Sequence, residues 1–292
     1  MDPSDTPPAE VGIDVALVRA LVGSQFSHLA SMPITHLSSG WDNVSFRLGS
    51  ERLVRLPRRQ IAVPLIEHEA RWLRVLGPAL PLPVPVPEHV GRPDEGYPWP
   101  WLIVPYLEGT PAAVAGGIDH VACARLLASF LLALHRPAPS DHPRNPHRGT
   151  PLSVRDAALR QRLPLLDRHD RDVVTRLWEG SLAAPEHDDE PIWIHGDLHP
   201  LNVLVDQGVV SGVIDFGDIT AGDPATDLAI VWSLLSSAQE QFWSVYGDDE
   251  ALRLRARGWA TALGLAYLAN SADNPVMETI GRVTIDAVIA HS

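Results

Sequence analysis

The chain has 292 residues, 45% hydrophobic and 20% charged, with a formal net charge of −13. This is long enough for one large domain or two lobes and too apolar for a disordered chain. The acidity, spread along the sequence, argues against nucleic acid or an anionic membrane as partner.

Lysine is absent, so every fixed side-chain cation is an arginine. The single cysteine, Cys123, excludes an intrachain disulfide and a thiolate metal cluster, and its apolar helical surroundings make it a core residue. The opening Met1-Asp2-Pro3-Ser4-Asp5 is unlike a signal peptide. The longest apolar runs, such as Leu126–Leu134, are too short to span a bilayer. A cytoplasmic protein, monomeric or weakly dimeric, is the expectation.

Residues 1–10 read as a frayed tail, and Asp14 to Leu29 as a first helix on the spacing of Val15, Val18, Leu21, Val22 and Phe26. Strands at Ile34–Leu37, Val44–Leu48 and Leu53–Leu56, separated by turns at Ser38–Asn43 and Gly49–Glu51, predict a three-stranded antiparallel meander. Ile66 to Leu76 is a helix with Ile66, Trp72, Leu73 and Leu76 on its apolar side and Glu69 on another. The proline at every second position of Leu80–Pro87 fits an extended connection to an edge strand, and leaves open an exposed polyproline ligand. Trp101–Val104 is an apolar strand, broken by Pro105-Tyr106-Leu107, where a lobe boundary is placed: 1–105 and 106–292.

Beyond it, Val121–His135 predicts a buried central helix and 136–152 a proline-rich surface loop with His142 and His147. Helices follow over Val154–Leu166 and Asp170–Ala183, then an acidic loop at Glu186–Glu190. Short strands at Ile192–His195, Val203–Val205 and Ser211–Ile214 are joined in part by the turn Asp206-Gln207-Gly208. Asp223-Pro224 starts a helix to Leu235, with Asp223 as its cap. Gln239 to Ile289 is helical, with breaks near Gly247 and Asn274-Pro275.

The chemistry concentrates at Ile194-His195-Gly196-Asp197-Leu198-His199-Pro200-Leu201-Asn202 and Val213-Ile214-Asp215-Phe216-Gly217-Asp218. Asp197 precedes Asn202 in a tight loop, and Asp215 ends the following strand. Phosphoryl transfer needs one carboxylate to orient a hydroxyl, plus an amide oxygen and a second carboxylate for magnesium. A strand hairpin would bring Asn202 and Asp215 together. His195 and His199 are read as braces of the loop, with metal-dependent hydrolysis through them as the weaker rival.

The stretch 195–202, with 214–218 and Gly222-Asp223-Pro224-Ala225-Thr226-Asp227-Leu228-Ala229, resembles the aminoglycoside phosphotransferase family, relatives of choline kinases and protein kinases. The resemblance implies an α+β, two-lobed protein-kinase-like fold: an N-terminal nucleotide-binding lobe of antiparallel sheet and helix, and a mainly helical C-terminal lobe. It implies Asp197 as catalytic base, Asn202 and Asp215 as Mg²⁺ ligands, and Asp227 as buttress of the loop. Arg55 falls where the family's phosphate-contacting lysine stands, a departure also familiar from macrolide kinases, with Glu69 as its partner. Pro105 and Leu107 would offer adenine a carbonyl and an N–H, and the turn at 38–43, with one glycine, lies where the phosphate cover belongs.

The implied activity is transfer of the γ-phosphate of ATP or GTP to a small-molecule hydroxyl, on an aminoglycoside or another antibiotic. The acidity suits a cationic acceptor near Asp218, Asp189, Glu190 and Glu278, whereas a macrolide would want an apolar lining from Trp232, Trp243, Trp259 and Tyr267. A sugar or amino-alcohol kinase and a non-catalytic nucleotide-binding module remain as alternatives.

Overall fold

Alternation along the meander decides the first half of the structure. The computed structural model describes residues 7–188 and 190–291. After α1 (Val15–Gln25), whose first turn is capped by Asp14 Oδ1 accepting from Leu17 N–H at 2.8 Å, come β1 (Ile34–Ser39), β2 (Asn43–Leu48) and β3 (Arg52–Pro57). Then follow α2 (Val63–Leu76), β4 (His89–Gly91) and β5 (Trp101–Pro105). The strands form one antiparallel sheet in the order β1-β2-β3-β5-β4. Val44, Phe46 and Leu48 all point to one face, where they pack on Val18, Leu21 and Val22 of α1. Leu102 and Val104 point to the other, against Ile66 of α2.

Arg55 lies opposite Leu102 in the β3–β5 register, so its side chain emerges on the α2 face. There it meets Glu69, which is fully buried; three residues after Ile66 and three before Trp72, it lies on the apolar side of the helix and not on another, which corrects the expectation. The helix also starts three residues earlier than its pattern suggested, with a proline in its first turn. The proline stretch leads to β4 at the sheet edge, and the Pro83 carbonyl accepts from Val213 N–H at 3.0 Å, fastening the connector to the second half of the chain.

That half contains β6 (Thr110–Pro111), α3 (His120–Leu134), α4 (Asp156–Arg162) and α5 (Arg168–Leu182). Next are β7 (Ile192–Ile194), β8 (Val203–Asp206), β9 (Val209–Val213) and β10 (Thr220–Gly222). The chain ends in α6 (Ala225–Leu228), α7 (Ile230–Ser233), α8 (Gln239–Tyr246), α9 (Glu250–Ala269) and α10 (Pro275–Ala290). β7 pairs with β10, and β6, β8 and β9 make a second small sheet. One large core joins these helices to Trp72, Leu73 and Leu76 of α2 and to Leu82 and Val84 of the connector.

Four sequence expectations change. α3 packs Cys123, Leu127, Phe130, Leu131 and Leu134 inward but leaves Val121, Leu126 and Leu132 on an exposed face. The helix expected over 223–235 is two short segments, and Asp223 divides its carboxylate between Ala225 N–H (3.0 Å) and Arg255 Nε (2.8 Å). Trp232, Trp243 and Trp259 are buried in the core, so they line no macrolide pocket. The loop 136–152 is only partly a surface loop: Pro143 is buried, and Arg148 reaches in to Asp197. No helix among the described residues is long and apolar enough to cross a membrane.

Candidate active site

The hairpin of β8 and β9 pairs Val203 with Val213, and Ile214 N–H donates to the Asn202 carbonyl at 2.9 Å. A turn with Gln207 and Gly208 both at positive φ closes it. Asn202 is thereby placed beside the backbone that carries Asp215. Its Nδ2 donates to the Asp197 carbonyl at 2.9 Å, which leaves Oδ1 as its oxygen for other work. Asp215 stands at φ 64°, and its side chain is half exposed at the end of β9.

The loop 195–202 is held from behind. Asp227, fully buried, accepts His195 N–H on Oδ2 at 2.7 Å and Gly196 N–H on Oδ1 at 2.9 Å. His135 Nε2 lies 3.2 Å from the same Oδ2, and its Nδ1 lies 2.6 Å from the Tyr246 hydroxyl. The His195 ring accepts Asp197 N–H on Nδ1 at 3.2 Å, so its Nε2–H donates to the Ile214 carbonyl at 3.0 Å. Both motif histidines therefore brace the loop, His199 by accepting Leu201 N–H at 3.2 Å. Gly196 sits at φ +86°, and a Cβ there would come within 2.4 Å of the Asp218 carbonyl. Only glycine lets the loop lie this close to the 215–218 segment.

Three aspartates of this corner are each paired with an arginine. Arg55 Nη2 donates to Asp215 Oδ1 at 2.7 Å while Nη1 donates to Glu69. Arg148 Nη2 donates to Asp197 Oδ1 at 2.7 Å and lies 3.9 Å from Asp218 Oδ2. Arg59 Nη2 donates to Asp42 Oδ1 at 2.6 Å.

The electrostatics follow from these pairs. Burial works to raise the Asp197 carboxyl, but Arg148, His199 and His195 outweigh it and hold the group well below the usual carboxylate range. Burial pushes Asp42 up against the pull of Arg59, with the charges of Asp215 and Asp197 adding to the rise; the 38–43 turn thus faces both groups. Asp218 is raised by burial and by Asp197 and Asp215, against Arg148 and Asn145. Glu69 is pushed up to about 7, chiefly by burial, and its Oε2 has no partner among the described residues. Arg55 stays charged: Glu69 and Asp215 together overcome its burial.

Pro105 ends β5, Tyr106 N–H donates to the Glu51 carbonyl at 2.7 Å, and Arg47 stacks over the Tyr106 ring at 3.1 Å. Leu107 reaches across to Gly212 of β9. Of the acidic acceptor candidates, Asp218 is in the site; Glu278 pairs with Arg282 on α10, Glu190 is exposed, and Asp189 lies outside the described residues. Tyr267, half-buried, feels Asp197, Arg148 and Asp218. Sequence reasoning missed Asp42, Arg59, His135, Asn145 and Arg148. No periodicity or spacing marks them: Asp42 and Arg59 come from the first half of the chain, His135 from the end of α3, and Asn145 and Arg148 from one loop.

A family profile described as the phosphotransferase enzyme family matches residues 33–265, from the first sheet strand into α9. The chain belongs to the phosphotransferase enzyme family. It is 29% identical over 229 residues to the uncharacterized protein YcbJ of Bacillus subtilis, covering 70% of this chain and 67% of that protein. It is 30% identical over 133 residues to an aminoglycoside 3'-phosphotransferase of Escherichia coli, covering 42% of this chain and about half (48%) of that relative. Among solved structures, the GDP and kanamycin complex of an APH(2″) enzyme superposes with a TM-score of 0.72 at 21% identity, covering 94% of this chain and 99% of that one. The fold expectation is therefore correct: α+β, with a sheet-based first half and a helical second half as in the antibiotic kinases.

Proposed function

We propose that this phosphotransferase moves the γ-phosphoryl group of ATP, or of GTP, to a hydroxyl of an aminoglycoside or related antibiotic. The observation that carries the reading is the convergence of Asp197, Asn202 and Asp215 on one corner, with Asp197 on a braced loop and Asn202 fixed beside Asp215 by strand register. The GDP and kanamycin of the superposed structure support nucleotide and aminoglycoside as ligand classes.

In this reading residues 1–105 form the nucleotide lobe and 106–292 the lobe that carries the acceptor. Arg55, locked by Glu69, contacts the phosphates, and Pro105 and Leu107 receive the base. Asp197, kept as a carboxylate by its neighbours, accepts the hydrogen bond of the acceptor hydroxyl and points its oxygen at the phosphorus. The donor set at Asn202 and Asp215, one amide oxygen and one carboxylate, fits magnesium, which takes its other ligands from phosphates and water. Bound there, the ion would neutralise charge on the β- and γ-oxygens.

The test is magnesium-dependent phosphorylation of an aminoglycoside and macrolide panel, with products read by mass. A gain of one phosphoryl group on an aminoglycoside supports the reading. Nucleotide binding without transfer to any member would remove it.

A further inference from the structure

Resting on that function, we propose that Arg148 is a catalytic arginine supplied by the chain itself, which passes from Asp197 to the phosphoryl group in transit. The acceptor hydroxyl must sit on Asp197, and the phosphoryl group arrives on that hydroxyl. A donor 2.7 Å from Asp197 Oδ1 is thus within a phosphate's width of the transferred group. The transferred group brings dispersed negative charge into a corner that already holds Asp197, Asp215, Asp218 and Asp42. Of the cations facing that corner, Arg55 is committed to Glu69 and Asp215, and Arg59 to Asp42.

Arg148 Nε is buried with no partner among the described residues. Arg59 also keeps an unpaired Nε among the described residues, but it is Arg148 that donates to Asp197. A buried N–H left unpaired is costly, and a phosphoryl oxygen is the strong acceptor that a guanidinium fork suits.

The residue is also held in place. On either side of it, Asn145 Nδ2 donates to Asp218 Oδ1 at 2.7 Å and Gly149 N–H donates to Thr226 Oγ1 at 3.1 Å. The Gly149 carbonyl accepts Asp223 N–H at 3.0 Å, and a Cβ on Gly149 would lie 3.0 Å from Gly222. The 145–149 segment is thus docked on the same 218–226 backbone that supports the catalytic loop.

In the step itself, the acceptor oxygen forms a bond to the γ-phosphorus. The bond from that phosphorus to the bridging oxygen breaks, its electron pair leaving on the nucleoside diphosphate. The hydroxyl proton passes to Asp197. Arg148 gives up no proton: it exchanges one anionic partner for another and follows the charge as it develops.

The experiment uses the full chain with Arg148→Ala and Arg148→Lys, reading three quantities: kcat for ATP consumption, ADP affinity, and the gain in ADP affinity on adding aluminium fluoride with magnesium. The expected result is a kcat loss of about 10³-fold in Arg148→Ala, the scale of an arginine acting on the transition state. ADP affinity stays within about twofold, the aluminium fluoride gain is lost, and guanidinium ion partly restores turnover. Arg148→Lys recovers little, because an ammonium lacks the planar fork.

A kcat within threefold of wild type, or a rise on unmasking Asp197, overturns the proposal. So does a loss matched by equal loss of ADP binding and of thermal stability in both variants. The aluminium fluoride measurement needs no acceptor: a wild type that shows this gain, lost in Arg148→Ala, but phosphorylates nothing in the panel, would sink the acceptor reading and keep Arg148.

Discussion

Two backbone segments bring aspartates to the same corner, and they are held by different means. The loop at 195–202 is fixed by buried groups: Asp227 takes two of its amides, the Ile214 carbonyl takes the His195 ring, and Asn202 ties back to the Asp197 carbonyl. The turn at 38–43 is fixed by arginine side chains: Arg58 Nη1 donates to the Gly40 carbonyl at 2.8 Å and Arg59 binds Asp42, while Trp41 is 47% exposed. The first arrangement is complete without ligand. In the second, charges are held that an anionic phosphate would compete for. Under the proposed function, the 195–202 side would be preorganised for chemistry, and the 38–43 side would rearrange on binding a nucleotide.

Removing the brace should break the contrast most severely. Asp227→Ala leaves two buried backbone N–H groups unpaired, with an expected loss of stability on the order of 3 kcal/mol, measured by denaturant unfolding, and at least a hundredfold in kcat. A variant of near-normal kcat would mean that the loop holds its shape without Asp227.

On the other side the effects should fall on binding. Arg55→Ala is expected to raise the KM for ATP by at least tenfold with acceptor KM unchanged; an unaltered ATP KM would remove Arg55 from the nucleotide site. Arg59→Ala should weaken ADP binding severalfold at constant kcat, read by calorimetry. A kcat loss there in place of a binding loss would erase the distinction between the two segments.

The smallest effect concerns Glu69. Its carboxyl, raised to about 7 by burial, favours folding in its protonated form. That contribution is full below the ordinary carboxyl range and fades as the pH rises through about 7. Wild type should therefore lose stability relative to Glu69→Gln between about pH 4.5 and 7. A stability difference that does not change with pH would contradict the raised value.

The same contrast explains what the sequence disclosed. Asp197, Asn202 and Asp215 could be found because a loop and a hairpin fix their spacing locally, and turn chemistry at Gln207-Gly208 supports the register. The meander was legible from its alternation, and α2 from its apolar side. The spacing of Glu69 puts it on the apolar face with Ile66, Trp72 and Leu73, against the expectation; what pattern alone does not show is the arginine 14 residues away that lets a carboxylate be buried there. Arg148 reaches Asp197 across 49 residues from a proline-rich loop, where no period operates. The break between α6 and α7 was hidden by a continuous apolar stretch.

The central claim is that Asp197 directs a hydroxyl to the γ-phosphorus of a magnesium nucleotide. ³¹P spectra of the full chain with magnesium ATP and the aminoglycoside panel test it most directly, with Asp197→Ala alongside. The account predicts a new phosphomonoester signal with equal loss of ATP, reduced at least a hundredfold in Asp197→Ala while ADP affinity is kept. A phosphomonoester formed equally fast by Asp197→Ala would contradict it.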